Sequence, residues 1–346
     1  MSDATRQVAV VGSRYADLAI EEEVLAGLGV ELTRGWGGDA DELVAVAGDA
    51  EVIVAGSAPR FDAAVLQRLS CRGIVRAGAG VETVDLDAAR AAGIWVARVP
   101  DAGTEAVALH ALTLVLAGLR RLTEADRHVR GGGWGIAGLR PLHLPSALTA
   151  GVVGYGRIGR RVASLLAGVG FSVVVFDPVA GAADDPQIRK ADSLEDLLRA
   201  SDVITLHAPG NADGSALIGA AELGLLRERA LLVNTARGSL IDLDALVAAL
   251  GDDRGLTAAL DVFPVEPLAI DFPATVADRL ILTPHMSWYT EESEVLQRRG
   301  AAEEAARLLR GERPREVVAE PLGLRPGVRS EELAQRAPSA GVEGKS

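Results

Sequence analysis

One cysteine, Cys71, stands in a chain of 346 residues. No internal disulfide and no thiolate metal cluster can form from it, as is usual in a reducing compartment. Basic residues form no block long enough to track a phosphate backbone, and the formal net charge is −13, which excludes direct nucleic-acid binding. The longest apolar run, within HALTLVLAGL at 110–119, is about half a membrane crossing. The opening MSDATRQVAVVGSR has no basic region followed by a long apolar stretch, so no signal peptide is expected. These absences predict a soluble, cytoplasmic protein with no metal site and no membrane partner. Aromatics are also scarce, at 3%, and histidines number five. That makes LTPHMSWYTEE (282–292), one histidine close to a Trp-Tyr pair, a stretch that asks for an explanation.

What is present is ample core material: 49% hydrophobic against 24% charged, in a length that suits two domains. Short β-branched runs alternate with helical patterns. VAVVG (8–12), EVIVAG (51–56), GIVRAG (73–78) and IWVARV (94–99) read as strands, DLAIEEEVLAGLG (17–29) as a helix, with further helical stretches near 61–69 and 86–92. A long helix is expected over 104–130, with Val107, Leu109, Leu112, Leu116 and Leu119 on its apolar stripe and GGG at 131–133 as its end. A second series then begins: LTAGVVGYG, FSVVVFD, DVITLH, ALLVNTA, LTAALDVF and RLILTPH. Such alternation builds βαβ units on parallel sheets. The expectation is an α/β chain of two doubly wound parallel-sheet domains. One is discontinuous, 1–101 with 289–320, and receives a final helix at about 291–310. The other spans 102–288, and 321–346 reads as a flexible tail.

Gly154-x-Gly156-x-x-Gly159 follows a strand and opens a helix, and Asp177 ends the next strand, eighteen residues after Gly159. The first glycine permits the tight turn, the second lets the backbone approach a pyrophosphate, and the third lets helix and strand pack closely. The helix start offers free N–H groups to phosphate, and a carboxylate at this spacing reaches ribose hydroxyls. With Pro178 next and no arginine nearby for a 2′-phosphate, NAD is favoured over NADP.

Arg237, Glu266 and His285 lie at ends of predicted strands in the second series, where a doubly wound sheet places its ligands. Singly, each has an ordinary reading: a surface cation, a solvated acid, a loop histidine. Together with RAGAGVETVDLDAA, GIWVARVP, VGYGRIGRRVA, DVITLHAP, LLVNTARGSLID, AALDVFPVEP and LTPHMSWYT, in that order over residues 50–315, the chain resembles the D-isomer-specific 2-hydroxyacid dehydrogenases. The resemblance implies a flavodoxin-like substrate domain and a Rossmann NAD-binding domain with a cleft between them, a homodimer, and a small 2-keto or 2-hydroxy acid as substrate. It makes Arg237, Glu266 and His285 catalytic. It places Gly154, Tyr155, Gly156, Arg157, Ile158, Gly159, Asp177, His207, Thr235, Ala236 and Asp261 along the cofactor, Asp261 near the nicotinamide amide. In this reading His285 carries the proton that the growing alkoxide needs, a buried Glu266 beside it favours the imidazolium, and Arg237 clamps the carboxylate and carbonyl oxygens. The Gly78-Ala79-Gly80 turn offers backbone N–H groups to the substrate.

There are departures. The family's AEH triplet is Ala108-Leu109-His110 here, and Glu82 and Thr83 replace an Asp and an Asn near the substrate loop. Many phosphoglycerate dehydrogenases carry an additional regulatory domain, which a chain of this length is not expected to include. Trp288 and Tyr289 resemble the C-terminal-binding protein branch, in which a Trp after the histidine lines the keto-acid pocket and an arginine matching Arg76 also faces it. Trp288 would favour extended or thioether side chains, or else the pair packs a hinge; Tyr289 reads either way. A non-enzymatic alternative stays open beside the reductase: an NAD(H)-responsive dimeric scaffold.

Overall fold

A computed structural model describes residues 6–323, apart from 14, 182–184, 186–187, 212 and 270–271; the tail expected from 321 lies outside the described residues beyond 323. The chain divides into two compact units, one of residues up to Gly103 together with those from Thr290 onward, the other Thr104–Tyr289.

The first unit runs β1 (Arg6–Val11), α1 (Ala19–Leu25), β2 (Val30–Gly35), α2 (Ala40–Ala47), β3 (Val52–Ala55), α3 (Ala63–Gln67), β4 (Gly73–Arg76), α4 (Leu86–Ala91) and β5 (Trp95–Arg98). In the second unit come α5 (Thr104–Leu119), α6 (Leu122–Arg130), β6 (Thr149–Val153), α7 (Arg157–Gly168), β7 (Ser172–Phe176), β8 (Ile188–Lys190), α8 (Leu194–Ala200) and β9 (Val203–Leu206). It continues with α9 (Ala220–Leu225), β10 (Leu231–Asn234), α10 (Leu243–Gly251), β11 (Thr257–Leu260), α11 (Ala274–Ala277) and β12 (Leu280–Leu282). The chain then returns to the first unit with α12 (Glu291–Leu309) and β13 (Val317–Ala319).

The first sheet has the order β13-β5-β4-β3-β1-β2. Without the antiparallel edge strand β13 this is the flavodoxin-like order 2-1-3-4-5. Its inner strands are buried on both faces, which is why they read as continuous apolar runs. Ala9, Val11, Ile53 and Ile74 pack under α2, α3 and α4; Val8, Val10, Val52 and Val54 face Leu25 of α1 and Ala301, Ala305 and Leu308 of α12. The helices between are short, and Asp39, Asp62 and Asp85 each accept first-turn N–H groups, worth about 1 kcal/mol per cap.

The second sheet has the order β12-β11-β10-β9-β6-β7-β8, the dinucleotide-binding order 3-2-1-4-5-6 with one further strand. The strand order reverses between β6 and β9, the point at which a doubly wound sheet places its ligand. Two clusters cover its faces, one beneath α8, α9 and α10, the other beneath α5 and α7.

The long helix expected over 104–130 is two helices meeting at 56°. Arg121 between them is left-handed, φ 49°, and the change has a cause in burial. Helix α5 buries Val107, Ala108, Ala111, Leu112 and Val115, whereas α6 buries nothing and has no sheet beneath it to follow. Leu109, expected on the buried stripe, is exposed. The helix expected from 17 begins at Ala19 and ends at Leu25, before the left-handed Gly27 and Gly29. No single helix among the described residues is long and apolar enough to cross a membrane.

Candidate active site and cofactor cradle

The glycine motif occupies the turn from β6 into α7. Gly154 has φ 91°, and a side chain there would overlap the His207 carbonyl; one at Gly159 would overlap the Gly154 carbonyl. The loop after β6 is thus pressed onto the loop after β9, and His207 N–H donates to the Val153 carbonyl at 2.7 Å. Gly156 is the N-cap of α7 and supplies no side-chain cap. The space above it is open, so the first-turn N–H groups, beginning at Arg157 and Ile158, face a place where an anion can sit. Tyr155 is buried with its ring under the Arg160 guanidinium, 4.4 Å from the centroid.

Asp177 ties this turn to the end of β7. One carboxylate oxygen accepts from Tyr155 N–H at 2.8 Å, and the other accepts from Val179 and Ala180 N–H. Burial alone would raise its pKa, but these N–H groups and nearby Lys190 outweigh that and hold it below the usual carboxylate range. A half-buried, ionised carboxylate at this position suits ribose hydroxyls. Two polar atoms nearby are buried without a partner among the described residues: His207 Nδ1 and Thr235 Oγ1, at the ends of the adjacent strands β9 and β10. His207 Nε2 is spent on Thr205 Oγ1 at 2.8 Å, and burial pushes the imidazole pKa down to about 3, so it is neutral. An uncapped helix start, an ionised acid and two orphaned polar atoms along one sheet edge fit a dinucleotide.

The three catalytic candidates lie further along the same edge. Asn234 staples the turn after β10: its amide donates to the Arg237 carbonyl at 2.8 Å and accepts from Ala236 N–H at 3.0 Å. Gly238 follows, and a Cβ there would overlap the Phe263 carbonyl and the Pro264 nitrogen, so the turn carrying Arg237 lies directly on the turn carrying Glu266. Glu266 is fixed at both oxygens, by Phe263 N–H at 2.9 Å and by His285 Nδ1 at 2.6 Å. Among the described residues His285 Nε2 has no partner. Glu266, expected buried, has a side chain 34% exposed, and that of His285 is 46% exposed.

His285 has φ 51°, a left-handed conformation that costs a non-glycine residue about 1–2 kcal/mol. Asp261 holds it there. The Asp261 carbonyl accepts His285 N–H at 2.8 Å, and its carboxylate accepts Met286 N–H, Ser287 N–H and the Thr283 hydroxyl. Burial would raise the Asp261 pKa; those donors lower it below the usual range. Its side chain is wholly enclosed, so the structure gives it the work of shaping the 283–287 loop. Thr283 Oγ1 in turn meets His110 Nε2 of α5 at 3.1 Å. Sequence reading passed over Asn234, Thr283 and His110 as site residues. The pairing of His110 with Thr283 has no local signal, because the two lie 173 residues apart.

Trp288 and Tyr289 form an edge-to-face pair, centroids 5.6 Å apart. In the first unit, Arg76 is buried, with Nε donating to the Gly80 carbonyl and Nη1 to the Ala55 carbonyl, both at 3.2 Å. It therefore shapes the Gly78–Gly80 turn. The N–H groups of Ala79 and Gly80 have no partner among the described residues.

The family model for the D-isomer specific 2-hydroxyacid dehydrogenase, NAD binding domain, matches residues 112–287. A D-3-phosphoglycerate dehydrogenase from Archaeoglobus fulgidus is 34% identical over 288 residues, 83% of this chain and 54% of that protein. The chain spans between 53% and 59% of the phosphoglycerate dehydrogenases it matches. A glyoxylate reductase from Aeropyrum pernix is 34% identical over 286 residues, 80% of this chain and 85% of that one. The solved TT0316 protein from Thermus thermophilus superposes with a TM-score of 0.81 at 32% identity, covering 90% of this chain and 100% of that one. The glycine cradle, Asp177 and the Glu266–His285 pair all fall inside the matched residues, and the chain belongs to the D-isomer specific 2-hydroxyacid dehydrogenase family.

Proposed function

We propose that the protein is an NAD-dependent D-2-hydroxyacid dehydrogenase that works mainly as a 2-keto acid reductase, with His285 as proton donor. One observation carries this reading: His285 Nδ1 is 2.6 Å from Glu266 Oε2 while Nε2 stays unpartnered, so one nitrogen is oriented by an acid and the other is left for a substrate. NADH, when bound, supplies the hydride to the keto carbon. His285 Nε2–H gives its proton to the carbonyl oxygen, and a 2-hydroxy acid and a neutral imidazole result. Arg237 steadies the oxygens as charge grows. His207 Nδ1 and Thr235 Oγ1 complete the cofactor contacts. Trp288, which carries the likeness to the C-terminal-binding protein branch, favours keto acids with an extended or thioether side chain.

We also infer a cytoplasmic homodimer, its interface built on the second unit. Leu116, Leu122, Ala125, Ile136 and Leu142 line a groove of about 590 Å³ between α5, α6 and the arm that follows, and Trp134 in that arm is 88% exposed. Apolar surface of this kind marks an interface.

The reading is tested by following NADH consumption across a panel of 2-keto acids, with His285→Ala beside the wild type. The variant should lose at least about a hundredfold in turnover and keep its affinity for NADH. A wild type that binds NADH tightly yet reduces none of the panel would leave the NAD(H)-responsive scaffold in its place.

A further inference from the structure

A carboxylate with no solvent contact has to be matched by donors, and at Asp261 these come from one short segment. Thr283 Oγ1 lies 2.6 Å from Oδ1, Met286 N 2.9 Å from Oδ1 and Ser287 N 3.0 Å from Oδ2. His285 N–H closes on the carbonyl of the same residue. Three successive backbone N–H groups, 285 to 287, therefore converge on Asp261. Such a nest needs a left-handed residue within it, and that residue is His285. Whatever orients the Asp261 carboxylate thus also sets the backbone from which His285 reaches Glu266.

The orienting group can be traced by counting hydrogens. Thr283 has one hydroxyl hydrogen, and an ionised carboxylate only accepts. At 2.6 Å that hydrogen belongs to the bond with Asp261, so the Thr283 oxygen turns a lone pair toward His110 Nε2, 3.1 Å away. His110 Nε2 must then carry a hydrogen. It is also 3.7 Å from Asp261 Oδ1 itself. Helix α5 packs on α7 and β10, so the imidazole reaches the loop from a separate, packed element of the same unit.

We propose that His110 is a positioning residue for the proton donor: its Nε2–H holds the Thr283 hydroxyl toward Asp261, and Asp261 holds His285 in the left-handed turn that points Nδ1 at Glu266. The proposal rests on the reading of His285 as proton donor. Neither His110 nor Thr283 is assigned contact with the reacting atoms.

The test uses the full chain with His110→Ala, His110→Gln and Thr283→Val. Gln places an amide donor near where Nε2 stands, so it can restore the relay, whereas Ala cannot. His110→Ala should lower kcat about tenfold to a hundredfold, the scale of a small misplacement of a catalytic group, with KM for the keto acid and NADH affinity within about twofold. His110→Gln should recover most of the loss. A His110→Ala enzyme with unchanged kcat, a rise in KM alone, or a Gln variant as slow as the Ala variant overturns the proposal. Nitrogen-15 NMR of the histidine rings reads the same relay without turnover. His110 should show hydrogen on Nε2 in the wild type and lose that preference in Thr283→Val. An Nδ1–H tautomer in the wild type overturns the relay outright. If the wild type reduces no 2-keto acid but the Nε2–H signature and its loss in Thr283→Val are seen, the relay stands and only the reading of the reaction fails.

Discussion

His207 and His285 are one imidazole type in opposite surroundings. His285 sits near solvent with Nδ1 on a carboxylate. His207 is buried beside the glycine cradle and is kept neutral, its pKa pushed from 6.5 down to about 3 by loss of water. That has a consequence for stability. In the unfolded chain His207 takes up a proton below pH 6.5, while in the folded chain it does so only near 3. Between those values the unfolded state binds more protons, so stability falls as the pH falls. From about pH 7 to about pH 5 this one group should cost about 2 kcal/mol. His207→Gln removes the titration and can keep a bond to Thr205. Urea-unfolding midpoints should therefore drop less for the variant than for the wild type over that interval, and equal drops would show that His207 is not shielded as its burial implies. The sequence marked His207 as lying along the cofactor, and its Nδ1 is buried without a partner among the described residues. Its neutrality was not legible, because burial is a property of the packed loops after β6 and β9. In the same way Asp177 could be found from its distance to Gly159, but not that Tyr155, Val179 and Ala180 would all donate to it.

The elements that escaped the sequence share a position. Strands β2, β8 and β13 are all at sheet edges, where one side lacks a neighbour and the chain is not buried on both faces. VELTRG mixes partly buried and exposed residues with none fully buried, and IRK and VVA are three residues each, so none makes the continuous apolar run by which the inner strands were recognised. The break between α5 and α6 was hidden for a related reason, since periodicity reports amphipathic character but not whether a sheet lies beneath. The turns carrying Arg237, Glu266 and His285 were legible as strand ends, but the contact that brings two of them together was not. Gly238 lies against the Phe263–Pro264 backbone with no room for a Cβ, and backbone cannot swing aside as a flexible side chain can. Gly238→Ala should spread the turns after β10 and β11, at about 1–3 kcal/mol in stability. It should also move Arg237 away from Glu266 and His285, lowering kcat/KM about a hundredfold. Circular dichroism and thermal unfolding read the first effect, keto-acid kinetics the second. Turnover at the wild-type level would mean that the two turns keep their register without this contact.

At the scale of the molecule, the two units differ in how the chain builds them. The second is one uninterrupted stretch, Thr104–Tyr289, with both faces of its sheet already covered by its own helices. The first needs chain from both ends. Without α12, the face formed by Val8, Val10, Val52, Val54 and Val75 would lose Ala301, Ala305, Ala306 and Leu308 and lie open to water, which is why residues 1–103 by themselves should aggregate. Residues 104–289 expressed alone should instead unfold in one cooperative transition. They should also bind NADH within about tenfold of the full chain, because the cradle, Asp177, His207 and Thr235 all belong to this stretch. The same segment carries Trp134, Ile136 and the groove between α5 and α6, so it should sediment as a dimer, and Trp134→Glu should convert it to a monomer that still binds NADH. A folded segment that is monomeric, from a full chain that is dimeric, would move the proposed interface to the first unit; a segment that fails to fold would show that the coverage of its sheet is not enough to hold it without the rest of the chain.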